Sequence, residues 1–322
     1  MKATAIAPAN IAFIKYWGKS DESLRLPLND SLSMNLNNTY TKTTVEFSSD
    51  FSRDEILLAN GIFSDQEKQR VIKNLNVMRN KAETRLCARV VTENTFPKGG
   101  GAAASASGFA ALTVAAFSAL GIKLSEKELT SFARMGSGSA CRSIPDGFVE
   151  WKKGETHNAS YAYSLYPHDY WDLRDILVIV DAGMKKVPTT EGMSAVRTSP
   201  LLPARLAALP ERITRIKEAM KQKNFQQFGE IVEEECLDMH HVMQTQNPPL
   251  YYWNNVTQEI MDAVAGWRKN GLSVYFTIDA GPNVHLICEG KNEKNVIKVL
   301  KSRIRLCRKI IVNKPAKGAR VL

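Results

Sequence analysis

The sequence predicts an α+β fold in two lobes. Three observations carry that reading. Strand-like segments gather in the first third of the chain, helical patterning dominates residues 203–241 and 254–271, and strands and helices come in runs rather than in the strict alternation of a doubly wound parallel sheet. A chain of 322 residues can bury a large core and divide in two. The buried run RDILVIVDAG (174–183) marks the division, giving an N-terminal lobe of 1–172 and a C-terminal lobe of 173–322.

Taken in order, Ala3 to Ala7 alternates briefly, and TKTTVEF (41–47) carries the Thr and Val that suit a pleated surface. ARVVTEN (88–94) reads as a strand running into a glycine-rich loop and then a helix, SASGFAALTVAAFSAL (105–120). Ser125 and Glu128 have capping-box spacing ahead of a second helix, which ends at GSGSACRS (136–143), and FVEW (148–151) resumes a strand. After the 174–183 strand, helices run from Pro203 to His241. NNVTQEIMDAVAGWRKNG (254–271) spaces Ile260, Met261, Val264 and Trp267 on one face and stops at Gly271. SVYFTI (273–278) is a strand leading into DAGPN. VIKVLKSRI then reads as a helix and KIIV as the last strand.

Composition narrows the function. Lys and Arg total 43 against 33 Asp and Glu, a net charge of +10, but the basic residues are spread along the chain, which favours a small anionic ligand over nucleic acid. No apolar run reaches the about 18 residues of a membrane span. Pro8, Asn10 and Lys15 break the N-terminal apolar stretch, so it reads as strand and loop rather than signal peptide. Cys87, Cys141, Cys236, Cys288 and Cys307 are scattered and form no CxxC pair, which argues against a disulfide framework or zinc site and for a reducing, cytoplasmic setting. His240 and His241 fall near a helix C-terminus, where positive charge is favourable.

Four segments carry possible chemistry. PKGGGAAASASG (97–108) joins a strand to a helix start through glycines, so it is either a phosphate cradle or a plain flexible turn; it is neither a GK[ST] phosphate loop nor a GxGxxG dinucleotide loop. GSGSACRS offers Ser137, Ser139 and Arg142, whose fork suits a carboxylate but equally suits a structural ion pair. In NIAFIKYWGK (10–19), a continuing strand would put Lys15, Trp17 and Lys19 on one face and Tyr16 on the other; the lysines are either phosphate ligands or surface residues. Asp279 in TIDAGPN ends a strand, where it serves as a base or merely opens the turn.

The wording and order of these pieces together resemble the diphosphomevalonate decarboxylase family of the GHMP kinase superfamily from end to end. The matching segments are APANIAFIKYWGK, LPLNDSLSM, QRVIKNLNVMR, the loop before SGFAAL, ARMGSGSACRS with FVEW, and YFTIDAGPN. The resemblance implies two α+β lobes with the active site in the cleft between them. It implies phosphorylation of the C3 hydroxyl of mevalonate 5-diphosphate by ATP with Mg²⁺, followed by loss of phosphate and CO2 to give isopentenyl diphosphate. It also implies a homodimer. By motif, Asp279 stands for the family's catalytic aspartate, Arg142 for the arginine on the substrate carboxylate, and Lys15 for the lysine that positions substrate and balances charge. Tyr16, Lys19, Arg70, Ser137, Ser139 and Thr189 stand for substrate-binding residues. Lys98, Gly99, Gly100, Gly101, Ala103, Ser105 and Ser107 stand for the ATP phosphate loop.

The chain departs from that pattern twice. Where the family's loop reads close to PTAAGLASSAAG, this one has Lys98 for Thr, Gly99 and Gly100 for two alanines, and Ala104 for the first of two serines, while Ser105 is retained. VPTTEGM (187–193) stands where the family often has VSSTxGM, so Pro188 and Thr189 replace serines expected near the substrate phosphates. That substitution keeps open a second reading, a phosphomevalonate decarboxylase acting on the monophosphate to give isopentenyl phosphate.

Overall fold

The structure, a computed structural model, describes residues 1–96, 104–181, 187, 189–303 and 309–322. Its elements run β1 (Lys2–Ile14), β2 (Lys19–Asp21), β3 (Leu26–Pro27), β4 (Ser31–Ser48), β5 (Glu55–Leu58), α1 (Asp65–Lys81), β6 (Cys87–Asn94), α2 (Ala104–Ala119), α3 (Glu126–Gly136), β7 (Phe148–Trp151), β8 (Ala162–Tyr166), β9 (Leu173–Ile179), α4 (Thr189–Ser194), α5 (Leu202–Gln222), α6 (Phe225–Thr245), α7 (Asn255–Lys269), β10 (Tyr275–Thr277), β11 (Val284–Glu289), α8 (Glu293–Arg303), β12 (Lys309–Asn313) and β13 (Arg320–Val321).

Two larger sheets organise these elements, as the α+β reading expects. The first has the order β13-β1-β4-β6-β5, with β7 on the far stretch of β4 and β8 beyond it; the second has the order β10-β11-β9-β12. Because β13 pairs with β1 (Ala5↔Val321), the first sheet draws on both ends of the chain. β4 is much longer than the 41–47 segment read from sequence, since its earlier half, LSMNLNN, lacks the Thr/Val signal. The helical stretch read as 203–241 is two helices, broken where Lys223 adopts a left-handed conformation (φ 52°) and Asn224 caps α6.

Small residues let α2 settle against the first sheet. Ala110, Ala111, Ala115 and Ala116 are buried beside Ala5 and Ala7 of β1, and α2 is buried almost all round. Ser64 and Ser125 cap α1 and α3 through reciprocal boxes with Glu67 and Glu128, which fixes where each helix starts. On the other side, α6 and α7 pack against β10 of the second sheet, and α5 packs on α6. Phe13 of β1 meets Phe228 of α6 edge to face at 4.9 Å, stitching the two halves. Burying each such ring contributes about 1.5–3 kcal/mol. Glu150 of β7 adds a polar stitch, accepting from Lys217 of α5 at 2.6 Å and from the Tyr163 hydroxyl. Among the described residues, no helix is long and apolar enough to cross a membrane.

Candidate active site

The site forms where β1 and β10 run out. β1 pairs with β4 as far as Ile14↔Leu32, leaving the next amide, on Lys15, without a ladder partner. Buried amides need an acceptor, and Glu235 of α6 supplies Oε1 at 2.9 Å. The Lys15 side chain is buried, and its Nζ donates to Asp279 Oδ1 at 2.7 Å. Asp279 sits just past β10, in a tight turn closed by Gly281 N–H to its carbonyl at 2.8 Å. Burial pushes the Asp279 carboxyl up, but Lys15, His285 and Arg142 outweigh it and hold the group below the usual carboxylate range. Asp279 is therefore ionised at neutral pH.

Arg142 lies in the short 3-10 helix Gly138–Ser143 and is buried. Its Nη1 donates to Ser31 Oγ at 2.7 Å and its Nε to Asn10 Oδ1 at 3.3 Å, while Asn10 Nδ2 donates back to Ser143 Oγ at 2.8 Å. The guanidinium carbon sits 5.9 Å from the Trp151 ring centroid. Burial pulls the Arg142 pKa below its ordinary value, yet an arginine so placed keeps its charge. With Nε and one Nη1 hydrogen committed, a carboxylate can be gripped end-on, by Nη2 and the second Nη1 hydrogen.

The far wall is cationic. The last carbonyls of α3 accept from two arginines: Met135 O from Arg25 Nε at 3.0 Å, and Gly136 O from Arg70 Nε and Nη2 at 3.0 and 2.8 Å. Arg70 also lies 4.8 Å over the Phe109 ring. Burial, then the charge of Arg25, lowers the Arg70 pKa to about 10. Lys19 pairs with Glu22. Tyr16 packs edge to face on Trp151 at 4.7 Å and lies on the Gly138 backbone, where an added Cβ would come within 2.6 Å of its ring. Its buried hydroxyl has no hydrogen-bond partner among the described residues. Ser105, in the first turn of α2, meets Ser137 Oγ to Oγ at 3.2 Å.

These side chains line one cavity of about 200 Å³, with Ala12, Trp17, Met193, Met239 and Ala280 as its apolar surface. Five cations, Lys15, Lys19, Arg25, Arg70 and Arg142, face one acid, Asp279. Such a cavity suits a small ligand carrying several negative charges. Among the described residues, no three or more His, Cys, Asp or Glu groups gather as metal ligands.

Known proteins match the whole chain. Residues 7–162 match the family model of the diphosphomevalonate decarboxylase-like N-terminal domain, and residues 176–318 match that of the mevalonate 5-diphosphate decarboxylase C-terminal domain. The diphosphomevalonate decarboxylase of Debaryomyces hansenii is 34% identical over 319 residues, spanning 92% of this chain and 82% of its own length. That of Aspergillus fumigatus is 38% identical over 323 residues, spanning 94% and 80%. The chain belongs to the diphosphomevalonate decarboxylase family. The crystal structure of mevalonate diphosphate decarboxylase from Staphylococcus aureus superposes with a TM-score of 0.95 at 38% identity, covering 100% of this chain and 98% of that one. A solved complex of MDDEF with MVAPP, AMPPCP and magnesium gives a TM-score of 0.94 at 36% identity, covering 100% and 99%. The fold is the family's mixed α/β, GHMP kinase-type fold.

The structure brings most residues singled out from sequence into this one cavity: Lys15, Tyr16, Lys19, Arg70, Ser105, Ser137, Ser139, Arg142, Thr189 and Asp279. Ser107 is not among them. It lies one helical step further in, fully buried, with its hydroxyl 2.6 Å from that of Thr41. Lys98, Gly99, Gly100, Gly101 and Ala103 lie outside the described residues, as does Pro188. The expected strand alternation around Lys15 also differs. β1 ends at Ile14 and Gly18 turns the chain at φ +106°, so Tyr16 joins Lys15, Trp17 and Lys19 on the cavity wall rather than facing away. Arg25, Met193 and Met239 escaped the sequence reading; Arg25 directly precedes the flagged segment LPLNDSLSM, the nearest thing to a signal.

His240 corrects another expectation. It is not a helix-end cation but a buried ring behind the Asp279 turn, with Nε2 3.3 Å from Ile278 O, so Nε2 carries the proton. Burial lowers its pKa to about 3. The folded value lies below the unfolded one of about 6.5, so this contribution to stability is full above pH 6.5 and drains away as pH falls toward 3. His240→Gln keeps an N–H for Ile278 without titrating. Between pH 7 and pH 5, urea unfolding should show wild type losing about 2 kcal/mol more than the variant; equal losses would contradict a neutral, buried His240.

Proposed function

We propose that this chain catalyses the ATP-dependent decarboxylation of mevalonate 5-diphosphate to isopentenyl diphosphate, with the cavity between its two lobes, 1–172 and 173–322, as the active site. The observation that carries this reading is the 2.7 Å Lys15–Asp279 pair, set beside Arg142 and opposite a cluster of further cations. Asp279 orients the C3 hydroxyl and takes its proton while the oxygen attacks the γ-phosphorus of ATP and ADP leaves. Lys15 balances the charge that gathers during transfer. The C3–O bond then breaks, with phosphate taking the bonding pair. The C1–C2 pair becomes the C2=C3 double bond, and C1 leaves as CO2. Arg142 holds the carboxylate in line for that cleavage.

ATP brings Mg²⁺ on its phosphates. The start of α2 opens at the cavity through Ser105, where helix N–H groups favour phosphate oxygens. Lys19, Arg25, Arg70 and Thr189 suit the substrate's phosphate tail, with Tyr16, Ser137 and Ser139 between tail and carboxylate. The four described cysteines are free, which fits a reducing compartment. We place the enzyme in the cytoplasm, and as a homodimer on family resemblance.

The test of the substrate is kcat/KM for mevalonate 5-diphosphate against mevalonate 5-phosphate, with ATP and Mg²⁺. A monophosphate leaves cations placed for the terminal phosphate without partners, so the diphosphate should be favoured by at least about tenfold. A preference of about tenfold for the monophosphate, roughly 1.4 kcal/mol of transition-state binding, would overturn the assignment.

A further inference from the structure

Glu235 is a fully buried carboxylate that the chemistry above does not use. Its Oε1 accepts from the Lys15 N–H at 2.9 Å and from Arg205 Nη2 at 2.5 Å, and its Oε2 accepts from Arg212 Nη1 at 2.5 Å and Arg205 Nη1 at 3.3 Å. Asp238, one turn on and partly exposed, binds the same two arginines at 2.9 and 2.6 Å. Asp238 satisfies much of the arginine charge without touching β1. Glu235 is the group that ties the cluster to the site, and it does so through the one amide freed where the β1 ladder stops.

We infer that Glu235 is a positioning residue. Clamped by Arg205 and Arg212, it fixes the main chain at Lys15 so that the Lys15 amine reaches Asp279. The inference rests on the proposed roles of those two residues. A carboxylate is needed because four donors from three residues converge on it and each oxygen must accept. A glutamine has one carbonyl oxygen, which the guanidiniums claim, turning its NH2 against the Lys15 N–H.

The test compares Glu235→Gln with Asp238→Asn, using full-length enzyme, ATP, Mg²⁺ and mevalonate 5-diphosphate. Both substitutions loosen the arginine cluster and lower Tm. Glu235→Gln should lower kcat per folded enzyme by about 10- to 100-fold with KM within about threefold, while Asp238→Asn stays within about twofold of wild type in both. The acid limb of kcat/KM should also move to higher pH in Glu235→Gln alone. Asp279 would then lose part of the pull of Lys15, with His285 and Arg142 remaining. If Glu235→Gln does not fold, Glu235→Asp keeps the charge against both arginines but withdraws it from the Lys15 N–H, and should show the same two changes. Equal kcat in the Glu235 and Asp238 variants, or an unmoved acid limb, would overturn the inference. An inactive wild type would instead count against the proposed function.

Discussion

Asp279→Asn should lower turnover with ATP and mevalonate 5-diphosphate by at least about 100-fold, the lower range for loss of a general base. The amide keeps the shape of the carboxylate but cannot take the proton of a crowded tertiary alcohol. It also leaves Lys15 Nζ without its anionic partner at 2.7 Å. The same geometry predicts the pH response of the wild type. Lys15, His285 and Arg142 hold the Asp279 carboxyl below its usual range against the effect of burial, so the acid limb of kcat/KM should fall below the ordinary aspartate value of about 4. Near-normal turnover in Asp279→Asn would remove the residue from the reaction.

Arg142→Lys is expected to be nearly as damaging, although the charge is kept. Lysine cannot reach Ser31 and Asn10 together while also presenting two hydrogens to a carboxylate. Each hydrogen bond to a charged group contributes about 1.5–3 kcal/mol. Losing two lowers kcat/KM by at least about 100-fold, read by steady-state kinetics alongside circular dichroism for folding. Full activity in Arg142→Lys would reduce Arg142 to a point charge and contradict the end-on grip.

Much of this was legible in the sequence because the signals are local. The capping boxes at Ser64 and Ser125 follow from side-chain chemistry within four residues, although only the second stood out before an apolar run. Arg142, Asp279, Ser137 and Ser139 were legible as motifs, and the cavity gathers them. What stayed hidden depends on where distant strands stop. The alternation Lys15, Trp17, Lys19 reads as a strand face, but the ladder with β4 ends one residue earlier, which turns Tyr16 inward and frees the amide that Glu235 binds. Arg25 gains its place only because α3 ends beside it with open carbonyls. His240 looked like a helix-end cation because sequence cannot show that Ile278 and Trp253 close over it; the ring lies 4.6 Å from that of Trp253. Ser107 was read with its loop, but a helix turns each successive residue by about a quarter turn or more, and that rotation carries it into the core.

The central claim is that one cavity phosphorylates the C3 oxygen and then expels it as phosphate. The most direct measurement uses mevalonate 5-diphosphate labelled with ¹⁸O at the C3 hydroxyl, incubated with ATP and Mg²⁺, with products read by mass spectrometry. The account predicts one ADP, one CO2 and one isopentenyl diphosphate per turnover, with the ¹⁸O in inorganic phosphate. Label released to water, or CO2 formed without matching ADP, would contradict it.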